Sequence, residues 1–237
     1  MRTTLHLAAL TLLTTAPAHA QITNPDTLIA PPPHNPAILR SAPTQDLQWL
    51  WQFAQPAPLG NKPALLADLR FQQLLADNLT APQAFWHTGT PLAEAAKLFL
   101  SGPGLIHTER NRYLEISGCV PTQCAQRGLL FADLGQPSPL VLFAALRWNE
   151  QSQTPDAPGA PFTLWLFPSR AFDNPQQLPQ PIAHALRSWL FDPASCRPLN
   201  ITSVLLVDPN GVPHIETPMT LGLTQGPCTP LTPGTHS

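Results

Sequence analysis

Four cysteines, Cys119, Cys124, Cys196 and Cys228, are the residues of this chain best suited to chemistry. Thiols in proteins ligate metals, attack as nucleophiles or pair as disulfides. Cys119 and Cys124 have four residues between them, and no His pair flanks them, which argues against a zinc site. The other reagents are dispersed. His87, His107, His184 and His214 lack metal-ligand spacing, and His34 and His236 fall in stretches expected to be disordered. Asp68, Asp77, Glu94, Glu109 and Glu115 offer no pair that sequence places at the separation of a glycosidase's two carboxyls. Ser117 before Gly118 is one serine among many. No G-x-S-x-G, H-E-x-x-H, Walker loop or dinucleotide fingerprint occurs. The chain therefore reads as a binding protein rather than an enzyme, with no metal and no cofactor.

The cysteines gain meaning from the first twenty residues. Arg2 gives a positive start, Leu5 to Leu13 is mostly apolar, and Ala18-His19-Ala20 is an A-x-A cleavage site. Residues 1–20 thus read as a signal peptide cleaved after Ala20, which places the mature chain in the periplasm or outside the cell. The apolar run is too short to span a bilayer, and no later segment approaches membrane length. An even number of cysteines in an exported chain implies two disulfides. Four cysteines allow three pairings. Nearness in sequence favours Cys119–Cys124 and Cys196–Cys228, worth roughly 2 and 3.5 kcal/mol by chain entropy. With Arg2 removed, eleven basic side chains face 14 acidic ones, a net charge of about −3. There is no basic patch, so nucleic acid is not an expected partner.

The shorter pair encloses Val120, Pro121, Thr122 and Gln123. Closure by a disulfide and the fixed φ of Pro121 predict a stiff knob standing off a sheet edge. A loop ordered before it meets its target has already met the entropic cost of binding, which suits insertion into another protein's cleft.

The elements that must hold this loop follow from periodicity. Leu47, Leu50, Trp51 and Ala54 recur at helical spacing over 45–54, and Pro56 and Pro58 end that helix. A second helix is predicted from Pro63 to Asp77, and the pair Phe85-Trp86 is expected to anchor in the core. Leu92 to Leu100 fits a short helix or a strand edge. Arg112–Ile116, Gly128–Asp133, Leu140–Trp148 and Phe162–Phe167 have the lengths and bounding turns of strands, with Gln136-Pro137-Ser138 turning between two of them. Pro181–Leu190 reads as a helix, and Asp208-Pro209-Asn210-Gly211 as a hairpin turn between 201–207 and 212–215. The clustering of 31 prolines marks the remainder as linkers: Pro31-Pro32-Pro33, Gln151 to Pro161, and the tail from Thr224. The expected organisation is a disordered leader over 21–44, an α+β domain over 45–180 with helices packed on an antiparallel sheet, and a helix–hairpin extension over 181–237 packed on that domain.

From Leu69 to about Phe172 the chain resembles the inhibitor of vertebrate lysozyme (Ivy) family. The matching residues are Phe71-Gln72-Gln73-Leu74, Ala81-Pro82 through Trp86, and a strand from Tyr113 to Gly118 that leads into the two-cysteine loop. Gln126-Arg127 to Phe131, Leu142-Phe143 and Thr163-Leu164-Trp165-Leu166 continue the pattern. The loop is the specific motif: C-V-P-T-Q-C here, C-K-P-H-D-C in the family. The resemblance implies an Ivy-like α+β fold, a Gram-negative periplasm, and a lysozyme-like glycosidase as protein partner, blocked by the loop in its cleft. The family's loop His reaches the catalytic carboxyls, where an imidazole can donate to one and accept from the other. Thr122 stands in its place, and Val120 and Gln123 replace a Lys and an Asp. A lost charge-assisted bond in a desolvated cleft costs roughly 1.5–3 kcal/mol, or one to two decades in affinity.

Overall fold

The computed structural model describes residues 47–82, 89–136, 138–148, 161–174, 176, 178–192 and 197–224. The leader, Phe85-Trp86, Pro137, most of the 151–161 linker, Cys196, Cys228 and all but the first residue of the tail lie outside the described residues.

The first helical segment is a 3-10 helix, Gln48–Ala54. The helix predicted from Pro63 to Asp77 is two, α1 (Lys62–Ala67) and α2 (Leu69–Asn78). Asp68 divides them. Its backbone is extended, its carboxylate accepts the Arg70 N–H at 2.8 Å, and the Arg70 guanidinium closes on it at 2.7 Å. An Asp that caps a helix cannot sit inside one, and helical spacing alone did not distinguish the two roles. Arg70 also lies over the Trp49 ring at 4.3 Å, which ties α2 to the 3-10 helix. Leu92–Ser101 forms a helix, α3, and buries Leu92, Ala96, Phe99 and Leu100 on one side.

Seven strands make one sheet. They are β1 (Ile106–Glu109), β2 (Tyr113–Val120), β3 (Gln123–Asp133), β4 (Leu140–Trp148), β5 (Phe162–Pro168), β8 (Ile201–Val207) and β9 (Pro213–Glu216), in the order β1-β2-β3-β4-β5-β8-β9. A separate two-stranded ribbon pairs β6 (Phe191–Asp192) with β7 (Arg197–Pro198). The expectation of an antiparallel sheet needs one correction: β5 and β8 are parallel, so the sheet is mixed. Between them runs α4 (Gln180–Leu190), and a connection that contains a whole helix brings the chain back to the same end of the sheet. The hairpin past residue 180 therefore extends the main sheet through β8.

Both faces of the sheet are covered. Leu114, Ile116, Leu130, Phe143 and Phe167 pack with α1, α2, α3 and the 3-10 helix. Leu129, Phe131, Leu142, Leu164 and Leu166 pack on the other face with Ile182, Leu186 and Leu190 of α4. Leu140 to Leu146 of β4 is buried at every position, because its alternate side chains enter two different cores. That is why this strand reads as an unbroken apolar run.

At one end of β2 and β3, Arg112 holds Asp133 through two bonds of 2.7 and 2.8 Å. Burial by itself would raise the Asp133 carboxyl, but Arg112, the Gly135 N–H and the Gln136 amide hold it below its ordinary range. The two-cysteine loop is at the other end.

Candidate functional site

β2 and β3 meet at Pro121-Thr122, with Val120 opposite Gln123. One step back, the pairing jumps to Cys119 opposite Arg127. Cys124, Ala125 and Gln126 therefore bulge from β3 with no residue facing them. The bulge brings Cys124 back to Cys119, and the two are bridged with their Cα atoms 4.8 Å apart. Cys119 is buried and Cys124 exposed, so the disulfide runs from the core to the tip. Pro121, Thr122 and Gln123 are exposed and Val120 is half-buried.

The loop does not stand off a sheet edge. β1, which the sequence reading missed, pairs outside β2, so both strands of the hairpin are interior. Only Ile106 of β1 is buried, and a short strand with one core residue carries little apolar pattern. The hairpin instead projects from the end of two central strands, each held on both sides.

Its base is built by close backbone approach. Gly118 and Gly128 face each other across β2 and β3, and α3 lies directly on them. A Cβ on Gly118 would sit 2.5 Å from the Leu100 carbonyl, and one on Gly128 would sit 2.7 Å from the Phe99 Cβ. The Gly102 N–H at the end of α3 donates to the Cys119 carbonyl at 2.7 Å. Lys62 completes the base. It is 6% exposed, and its ammonium donates to the Gly102 carbonyl and, at 3.0 Å, to the Ser117 carbonyl. Burial lowers its pKa from the usual lysine value. One buried cation thus ties α1, the end of α3 and β2 together one residue from the disulfide strand's paired glycine. In the sequence it is one of two lysines, with nothing to mark it.

Beside the hairpin is a cavity of about 280 Å³. Its floor is Phe143, Trp165 and Phe167 of β4 and β5; Ala95 of α3 forms one wall, and Val120 and Gln126 of the hairpin form another. It exists because α3 lies over β2 and β3 and reaches only the near side of β4. No local pattern announces it: Trp165 and Phe143 fall in two separate predicted strands, and they come together only when β4 pairs with β5.

The other candidate groups do not converge on this site. His107 pairs in register with Glu115 on β1 and β2, and burial first, then Glu109, pushes the Glu115 carboxyl up against the opposing pull of His107 and His184. His214 Nε2 lies 3.0 Å from Asp208 Oδ2 in the β8–β9 hairpin, and the other oxygen of Asp208 is buried with no hydrogen-bond partner among the described residues. His184 is on α4. Glu109 pairs with Arg110 at 3.0 Å, and Asp77 accepts from the Gln73 amide. Among the described residues no three His, Cys, Asp or Glu side chains come together as a metal site. Also among them, no helix is long and apolar enough to cross a membrane. Comparison with models of protein families, with curated proteins and with solved structures gave no match to this chain.

Proposed function

We propose that this chain is an exported protein inhibitor or binder of lysozyme-like glycan-cleaving enzymes, and that Val120 to Gln123 is the part that enters the target's cleft. The observation that carries this reading is the disulfide-closed hairpin itself. Its tip is exposed, while its base is fixed by the paired glycines, the Gly102 hydrogen bond and buried Lys62. Such a loop loses little conformational freedom on docking. A glycosidase cleft presents one protonated and one ionised carboxyl group. The Thr122 hydroxyl can donate to the ionised group and accept from the protonated one, and the Gln123 amide has the same double capacity. The resemblance of the loop to that of the Ivy family supports the same target class, with an uncharged tip in place of the imidazole.

The test is inhibition of C-type, G-type and bacterial lytic glycosidases by the oxidised chain beginning at Gln21, beside a Pro121→Gly/Thr122→Ala variant. Inhibition that the variant loses would support the reading, and full activity of every enzyme at excess protein would refute it. The mass of the chain recovered from periplasm tests export and cleavage after Ala20.

A second reading is a non-catalytic cell-envelope binding or structural protein on the same scaffold. It is favoured by the absence of any ionisable side chain between Val120 and Gln123. A pull-down from periplasmic extract that recovered only lysozyme-like enzymes would count against it.

A further inference from the structure

We propose that the groove between α4 and the turn over 217–222 binds the free carboxylate end of a short extended peptide. The groove lies on the α4 face of the sheet, whereas the hairpin's base is held on the α3 face. The proposal therefore goes beyond the hairpin's reading as an inhibitor and stands or falls without it.

The groove encloses about 540 Å³. Gln180, Ala183 and Arg187 recur along one face of α4 and form one wall. Thr220, Leu221 and Gly222 form the other. Their turn is closed by its own hydrogen bonds, from the Gly222 N–H to the Met219 carbonyl at 3.0 Å and from the Leu223 N–H to the Pro218 carbonyl at 2.8 Å. Leu221 and Leu223 anchor it in the core that α4 shares. The space is open at the groups a ligand would meet: Gln176, Gln180, Thr220 and Gly222 are exposed, and Arg187 is half-buried. Ala183, between Gln180 and Arg187 on the wall, has only a methyl group to put in the way.

Arg187 decides the charge of the occupant. Its Nε donates to the Ala183 carbonyl at 3.1 Å, which pins the guanidinium along the helix and leaves its two Nη groups for a ligand. Among the described residues no carboxylate is within ion-pair distance of Arg187, and none lines the groove. Glu216 comes near one rim, where it accepts from the Thr220 hydroxyl at 3.1 Å. The flanking residues Pro175 and Gln177 and the stretch 225–237 contain no Asp or Glu. Two Nη groups in one plane match the two oxygens of a carboxylate. Length sets the rest. The step from Gln180 to Arg187 is about 10 Å along a helix. An extended chain covers that distance in roughly three residues. Gln180, at the other end of the span, offers both a donor and an acceptor, the two groups that a peptide bond needs.

The test is titration of the full oxidised chain at pH 7 with N-acetyl-trialanine, with its C-terminal amide and with acetate. Two-dimensional NMR follows the backbone amides of Ala183, Arg187, Thr220 and Gly222. A ligand of about nineteen heavy atoms gives, at the efficiency of ordinary ligands, a Kd on the order of 0.1–1 mM. Saturable shifts centred on those amides are expected with the free acid. Binding about tenfold to a hundredfold weaker is expected with the amide, which lacks the charge. Acetate has the charge without the chain and should bind at least about tenfold more weakly than the peptide. Arg187→Gln should abolish the preference for acid over amide while distant amides keep their shifts. Should that variant disturb α4, the comparison of acid with amide on the unsubstituted chain still decides. Shifts that do not saturate, amide or acetate binding as tightly as the acid, or a preference for the acid that survives Arg187→Gln would overturn the proposal.

Discussion

Replacing both Cys119 and Cys124 by Ala separates the two things the disulfide does. The first is to limit the unfolded chain. A bridge that closes a six-residue loop removes about 7.4 cal/mol/K of chain entropy, or about 2.2 kcal/mol at 25 °C. The second is to fill space, because Cys119 is 4% exposed and its sulfur belongs to the core side of the hairpin. Loss of one buried heavy atom adds about 1 kcal/mol. The sum, about 3 kcal/mol, is a large share of the 5–15 kcal/mol that ordinarily separates folded from unfolded. For a domain of this length each kcal/mol moves the Tm by about 2–4 °C, so the variant should melt about 6–12 °C lower. Urea titration should show a lower midpoint with a slope equal to or slightly above the parent's, since the folded surface is kept and only a six-residue loop of the unfolded chain is freed. Ala is the right replacement at Cys119, because Ser would bury a hydroxyl and add a second cause. Glycosidase inhibition should fall further than stability does at temperatures where both proteins are folded, because the tip loses its closure while the base keeps Lys62 and the Gly102 bond. Equal melting of variant and parent would refute the structural argument. Reduced stability with unaltered inhibition would refute the view that closure prepares the loop.

On the proposed function, Thr122→His introduces the imidazole that Ivy-family loops carry and should tighten binding to C-type lysozyme by about tenfold to a hundredfold, read as an inhibition constant; no gain would mean that the tip does not reach the carboxyls. Lys62→Met removes the cation from the Gly102 and Ser117 carbonyls and should cost about 2 kcal/mol in chemical denaturation at pH 7. The folded chain holds the Lys62 proton less tightly than the unfolded chain, so stability of the parent should rise as pH climbs towards the ordinary value of 10.5, and the Met variant should lose that rise. For Glu115 the folded pKa is raised above the ordinary 4.5, so its contribution is fully present below that value and is lost as pH rises through the folded pKa. Glu115→Gln imitates the protonated acid and should melt higher than the parent at pH 7 and level with it at pH 3.5; an equal offset at both would show that packing and not titration is responsible.

What was legible in the sequence was what depends on near neighbours. β4 showed itself through an apolar run bounded by turns, and the β8–β9 hairpin through Asp208-Pro209-Asn210-Gly211. The loop showed itself because two cysteines around a proline are rare enough to stand out. What was hidden depends on pairs far apart in the chain. Lys62 meets carbonyls 40 and 55 residues away, and no local pattern encodes that meeting. The parallel register of β5 and β8 needed the crossover helix to be recognised as part of a βαβ unit, although its elements were each in view. The break at Asp68 was local, but Asp reads equally as an exposed helix residue and as a cap until its carboxylate is seen on the Arg70 N–H.

The arrangement at the hairpin bears on which features a loop of this kind must keep. Its position comes from Gly118 and Gly128, whose missing side chains let α3 rest on the strands, and from Lys62 and Gly102, which hold the strand that ends in Cys119. None of these groups is exposed at the tip. Its exposed residues are Pro121, Thr122 and Gln123, and their side chains contribute nothing to the hydrogen bonds of that base. Position and chemistry are therefore carried by separate residues, and the tip can change its side chains at little cost to the fold. Thr122 lies outside that base, so Thr122→His should leave the placement unchanged and alter only what the tip can bond to. On the proposed function, that separation would let substitutions at the exposed Pro121, Thr122 and Gln123 fit the tip to a different cleft.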